Sequence, residues 1–293
     1  MLLGELAALT AAALWGLTSV FFFSVAAQRI GALRVNLFRL PLGWVMLGLT
    51  LLTTGSKLTT DPTSLALLAA SGIVGLALGD LAYFATLRRI GPRLTVLLQS
   101  LAPLFATGFG VVLLDEVPGP LAGVGIALTL GGVVWVVRER PDAARPAGHH
   151  TSGVVLGVLA ALCQGLGLVL SKMGMAGGLG PWPASWLRMS FATAALWIGA
   201  AVAGRLRDLA LRPSLRAAWL QVVGGAALGP FLGASLSLVA AQLTEVGVAA
   251  TLMATTPIIV IPLVVHTERY RPTWRAVAGT VLAVAGIALL FAR

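Results

Sequence analysis

The chain has 293 residues, 58% of them hydrophobic and only 10% charged, with a mean hydropathy of +0.96 and a formal net charge of +10. A soluble globular protein carries about 25% charged residues, so this composition cannot cover a water-facing surface and excludes a soluble domain. The positive balance does not mark a nucleic-acid binder either, because the basic residues sit singly or in threes between apolar runs instead of clustering on one face.

Crossing the hydrocarbon takes about 20 apolar residues per helix. The first apolar run, 4–27, has Glu5 as the one charge at its start and no basic leader, and it is longer than the roughly 7–15 residues of a signal-peptide core. A retained first helix is expected, with no lipidation motif at either end. Nine further segments follow: 35–53, 64–87, 94–114, 120–137, 153–173, 184–203, 218–241, 247–266 and 274–292. The fold class expected is therefore an all-α integral membrane protein of ten transmembrane helices. Its longest hydrophilic connections, Arg138 to Ser152 and Gly204 to Ala218, are too short to fold alone.

Residues 138–152 divide the chain into two halves, 1–137 and 153–293, that match in order. Gly4 pairs with Gly153, Trp15-Gly16 with Gln164-Gly165, and Arg39 with Arg188. Further along, Ala77-Leu78-Gly79 pairs with Ala227-Leu228-Gly229, Pro103 with Pro257, and Glu116 with Glu268. Gly125 and Gly132 recur as Gly279 and Gly286. An ordered series of this kind indicates an internal duplication of five helices. Five is odd, so the second copy enters the membrane from the opposite side, giving two inverted repeats around a central cavity.

The connections test this independently. Those after segments one, three, five, seven and nine carry Arg29 and Arg34, then Arg88, Arg89 and Arg93, then Arg138, Arg140 and Arg145, then Arg205, Arg207, Arg212 and Arg216, and finally Arg269, Arg271 and Arg275. The opposite face has only Lys57, Lys172 and Arg293. The positive-inside rule places the arginine-rich face in the cytoplasm and both termini outside. The arginine-rich usage points to a bacterial inner membrane.

With these residues the chain resembles the drug/metabolite transporter superfamily, in particular its ten-helix EamA-type members, over its whole length. The resemblance rests on Trp15-Gly16, the arginines of segments two and seven, the prolines of segments four and nine, and Glu116 and Glu268 ahead of the Gly-spaced fifth and tenth helices. It implies a secondary transporter that exports or exchanges amino acids, other metabolites or drugs, and the overall likeness is greatest to bacterial aromatic amino-acid exporters. Relatives that carry phosphorylated sugars keep a multidrug or phosphorylated-metabolite antiporter open as the alternative.

Such transporters bind near the midplane on helices that bend or break. Arg39 is either a snorkel to cytoplasmic phosphates or a site residue, and Arg188, which has no topological reason to be there, is a candidate for gating or anion contact. Trp15 is a packed core residue or an aromatic wall of the cavity. Asp80, the one acid deep in a segment, is a site for a substrate ammonium, a proton carrier, an arginine's partner or a helix cap, and Tyr83 lies nearly one turn on. Its counterpart is expected to be Pro230.

Pro103, Pro257 and Pro262 are expected helix bends. Gln99, Ser100, Thr255 and Thr256 either satisfy the carbonyls freed by proline or face a substrate, and Gln164 offers a polar group at the depth of Trp15. Gly125, Gly132, Gly279 and Gly286 are expected to let helices five and ten approach closely. Trp182 and Trp186 are expected as interfacial anchors. Cys163 is the only cysteine, and no P-loop is present. No metal, cofactor, ATP or nucleic-acid partner is expected, and His149, His150 and His266 are not placed for an intramembrane enzyme. The partners expected are lipid and a small-molecule substrate, moved by alternating access, with proton coupling and facilitated exchange both open.

Overall fold

The computed structural model describes residues 2–58, 61–138, 150–205, 216–256, 258–259 and 273–292. Pro257, Pro262, Glu268, His149 and His266 lie outside them.

Among the described residues every regular element is helical, and the helices form ten runs. The first joins α1 (Leu2–Leu17) to α2 (Ser24–Ile30) through a widened, π-type turn at Thr18–Phe23. Gly31, at φ 86°, lets the chain turn into α3 (Ala32–Thr54), which Gly55 closes at φ 62°. Asp61 caps α4 (Pro62–Ser71) by accepting from the Ser64 N–H at 2.7 Å, with Pro62 fixing the first turn. A second widened turn, Gly72–Leu78, leads into α5 (Gly79–Gln99), followed by α6 (Ala102–Leu114) and α7 (Pro120–Arg138). The second half repeats this with α8 (His150–Gly174), α9 (Pro181–Val202) and α10 (Arg216–Ala226). A third widened turn at Ala227–Gly233 then joins α11 (Ala234–Leu243), α12 (Val246–Met253) and α13 (Trp274–Phe291).

Five of the described helical runs are long and apolar enough to cross a membrane alone, and shorter apolar helices accompany them. The outside is apolar as well: Leu52 and Val202 are 81% and 86% exposed, which suits lipid and not water.

Small residues set the packing, as expected where helices cannot gain from excluding water. A Cβ on Gly132 would meet the Gly279 carbonyl oxygen and the Ala283 nitrogen, both at 2.5 Å. One on Gly286 would lie 2.5 Å from the Thr129 nitrogen. These contacts bring α7 and α13 together antiparallel, so equivalent helices of the two halves run in opposite directions. On α8, Gly174 lies against Leu68, Gly167 against Gly75, and Gly153 against Ile90, which makes α8 antiparallel to α4 and the start of α5. The equivalent pairing joins α1 to α11, with Gly4 against Leu243 and Trp15 against Gly233.

Three expectations are corrected. The basic stretch 88–93 is not an open loop, because helical hydrogen bonding continues through it. The chain nevertheless reverses there: a Cβ on Gly157 would be 3.1 Å from both Thr86 Cγ2 and Leu98 Cβ, whereas 12 residues of straight helix would separate those groups by about 18 Å. Correspondingly, the run expected at 94–114 is interrupted at Ser100–Leu101, just ahead of Pro103.

The register of the third helices also differs. Gly75 and Gly79 face Gly167 and Cys163 just as Gly229 and Gly233 face Thr18 and Trp15. The halves are thus related there by 154 residues, as they are at Gly125 and Gly279, and Asp80 corresponds to Ala234, not to Pro230.

Trp186 is not an interfacial anchor, since its Nε1 is buried inside the bundle. Trp186 stacks on Trp44 with centroids 5.5 Å apart, and Trp182 packs on Phe231 at 5.8 Å. Gly48 and Gly43 leave the room for these rings and for Pro230.

Candidate functional site

Arg39 does not snorkel. α3 directs it inward, where its Nη2 pairs with Asp80 Oδ2 and its Nε donates to Asn36 Oδ1 at 3.1 Å. The guanidinium lies over the rings of Phe23 and Phe84, with centroids 5.8 and 5.7 Å from its central carbon. Among the alternatives open for Asp80, the structure gives the arginine partner. The two side chains are 16% and 14% exposed, so the pair is buried while still touching open space.

Two elements of the second half meet this pair. Gln164, on α8, donates to Asp80 Oδ1 at 3.2 Å and to the Gly75 carbonyl at 3.3 Å. That carbonyl belongs to the widened turn Gly72–Leu78, where backbone hydrogen bonding is rearranged and a side-chain amide can reach in. Arg188, on α9, is 5% exposed and within electrostatic reach of Asp80. Its Nη2 stands 3.5 Å from where a Cβ would sit on Gly75, and its Nε has no hydrogen-bond partner. Two guanidinium groups therefore lie near one carboxylate at the junction of the halves, and only that of Arg39 is paired with it.

Tyr83 lies edge-on to Phe84 at 5.6 Å, which brings it to the same group. Trp15 occupies the place in the first half that Gln164 occupies in the second. Its Nε1 would be 2.7 Å from a Cβ on Gly233, and Gln164 Nε2 would be 3.4 Å from one on Gly79.

The remaining candidates are not drawn into this cluster. Thr255 donates to the Leu252 carbonyl at 2.6 Å, and Thr256 to those of Met253 and Ala12 at 3.0 and 3.2 Å, so both hydroxyls satisfy backbone at the interrupted ninth run. Ser100 is buried at the matching interruption, and Gln99, half-buried, ends α5. Pro103 opens α6 and is buried.

A second charged cluster joins two connections and the last turn of α8 at one end of the bundle. Glu116 pairs with Lys172 at 2.5 Å and accepts from the Val246 N–H at 2.7 Å, capping α12, while Lys172 donates to the Thr244 carbonyl at 2.6 Å.

The sequence reading missed Asn36, Phe23 and Phe84. Asn36 lies one helical turn before Arg39, a spacing that signals contact, but the two phenylalanines carry no such signal. Among the described residues no three His, Cys, Asp or Glu side chains converge as a metal site would require.

Comparison with known proteins agrees with this architecture. A model of the EamA-like transporter family matches residues 2–138 and again 151–292, one match per half. A solved crystal structure, described only as that of a protein, superposes with a TM-score of 0.80 at 19% identity, over 98% of this chain and 96% of its own. At that identity the likeness establishes the fold alone. No curated protein matches the chain.

Proposed function

This chain belongs to the EamA-like transporter family and is a multi-pass membrane transporter of small solutes, and from that premise we propose that it exports or exchanges a zwitterionic amino acid, aromatic or otherwise neutral, or a similar small metabolite. The observation that carries this reading is the set Arg39, Asp80, Gln164 and Arg188, in which both signs of charge and an amide meet at the junction of the halves with Phe23, Phe84 and Tyr83 alongside. A zwitterion carries a complement to each sign, and an aromatic side chain has rings to stack on. A phosphorylated metabolite calls for several free cations, whereas Arg39 is held by Asp80 and Lys172 by Glu116.

Transport would proceed by alternating access, the widened turns at Gly72–Leu78 and Ala227–Gly233 serving as the bending points of equivalent helices. The charge distribution between the two faces supports both termini outside, and the arginine-rich usage supports a bacterial inner membrane. The test is uptake of labelled amino acids into proteoliposomes of the purified protein, with a competition panel of aromatic, aliphatic and charged amino acids. Saturable uptake of tryptophan or phenylalanine competed by unlabelled aromatics supports the reading. Absence of amino-acid uptake by folded protein rejects it.

A further inference from the structure

Arg39 and Arg188 occupy equivalent positions in the two halves but are not equally satisfied. Arg39 has a carboxylate, an amide oxygen and two aromatic faces. Arg188 is 5% exposed, its Nε is without a partner, and no described residue gives it an ion pair or a hydrogen bond. The acid within its electrostatic reach, Asp80, already accepts from Arg39 and from Gln164 on separate oxygens. The residue equivalent to Asp80 in its own half is Ala234. A guanidinium offers five donors in a flat fork and cannot give up its proton, and a buried charge without a full partner is costly.

Gly75 presents no side chain beside Nη2, and the guanidinium lies on the widened turn Gly72–Leu78; of its nitrogens Nε is the one fully buried without a partner. The local charge settles which kind of anion fits. Two guanidiniums and one carboxylate leave a surplus of one positive charge, which a monoanion neutralises. A dianionic phosphate would overturn it in a low-dielectric setting.

We propose that Arg188 receives the carboxylate of the transported molecule as a bidentate pair, with the Arg39–Asp80 pair standing beside it as a fixed dipole. The inference rests on the transport reading above and adds where, and by which group, the substrate is held. Arg188 is then a binding residue, and Arg39 a positioning residue that holds Asp80 away from it.

The experiment is thermal stabilisation of the purified full chain by phenylalanine, phenylalaninamide, phenylacetate, phenethylamine and phenyl phosphate, measured for the wild type, Arg188→Gln and Arg188→Lys. Loss of a charge-assisted pair corresponds to about 10- to 100-fold in affinity. Phenylalanine is therefore expected to stabilise the wild type at concentrations that much lower than phenylalaninamide. Arg188→Gln is expected to erase the acid-over-amide difference, and Arg188→Lys, which keeps the charge but not the fork, to recover part of it.

If phenylalanine has no effect but phenylacetate stabilises the wild type and not Arg188→Gln, the amino-acid reading fails while the carboxylate site stands. If Arg188→Gln keeps the preference for acid over amide, transport of amino acids stands and the carboxylate site is overturned. It is overturned too if phenyl phosphate stabilises more than any carboxylate, or if no carboxylate stabilises the folded wild type. Should Arg188→Gln not fold, the wild-type acid-over-amide comparison and Arg188→Lys decide alone.

Discussion

Arg39 on α3 and Asp80 on α5 form an ion pair within the first half, whereas the second half has Arg188 at the position equivalent to Arg39 but Ala234 at the position equivalent to Asp80. The two halves thus share the arginine but not the acid. Substrate chemistry in an inverted-repeat transporter is read most directly from such departures from symmetry, since packing alone would preserve the equivalence.

Removing that acid should be costly. Asp80→Asn leaves two buried guanidiniums without a counter-charge, and breaking a buried pair costs about 3–5 kcal/mol. A large drop in unfolding temperature in detergent is expected. Arg39→Gln combined with Asp80→Asn should restore much of it, because the double change removes one of the orphaned charges.

The contact between α7 and α13 depends on the absence of side chains. Gly132→Ala places a methyl 2.5 Å from two backbone atoms of α13 and should cost about 1–3 kcal/mol. Gly131→Ala, on the open side with nothing within 4 Å, should be neutral or gain up to about 1 kcal/mol from helix propensity. Thermal unfolding of the two variants side by side checks the difference.

Glu116 holds the start of α12 and pairs with Lys172. Glu116→Ala should cost about 1.5–3 kcal/mol. Glu116→Gln should cost less, since its amide oxygen still accepts from the Val246 N–H. Equal losses in chemical or thermal unfolding would mean that the cap contributes nothing.

Trp15 packs against Gly233 beside the widened turn, in the position that Gln164 holds in the other half. Trp15→Ala is expected to weaken aromatic substrate binding about tenfold, the scale of one lost ring contact, while Trp15→Phe retains most of it. Unchanged transport affinity in folded Trp15→Ala would remove the indole from the substrate's surroundings.

Orientation is checked with an impermeant maleimide on cells, in a Cys163→Ala background. Lys57→Cys should label from outside, and Arg205→Cys only after permeabilisation. The reverse pattern would place the arginine-rich face outside.

Much of the scaffold was legible because it is written in composition and spacing. Ten apolar runs, glycines seven apart and a paired arginine need no knowledge of contacts. The reversal at 88–93 was legible as a boundary but not in form, because helical hydrogen bonding continues through it. The register of the third helices was misread for a related reason. Ala77-Leu78-Gly79 and Ala227-Leu228-Gly229 match as letters, but the packing equivalence runs through Gly75 and Gly79 with Gly229 and Gly233, which only the facing helix reveals. The partner of Arg39 is 41 residues away on another helix, and no local rule selects Asp80 over solvent or lipid phosphate. Trp186 was misassigned because a tryptophan near a helix end looks the same in sequence whether it meets headgroups or another indole.

The most direct measurement is counterflow of labelled phenylalanine into proteoliposomes preloaded with unlabelled phenylalanine, with and without an imposed pH gradient. A transient accumulation of label in the wild type, absent in Asp80→Asn protein shown to be folded, is the expected result, and its response to the gradient separates proton coupling from exchange. No accumulation in the wild type, or undiminished accumulation in Asp80→Asn, would contradict a zwitterion carried at the Arg39, Asp80 and Arg188 site.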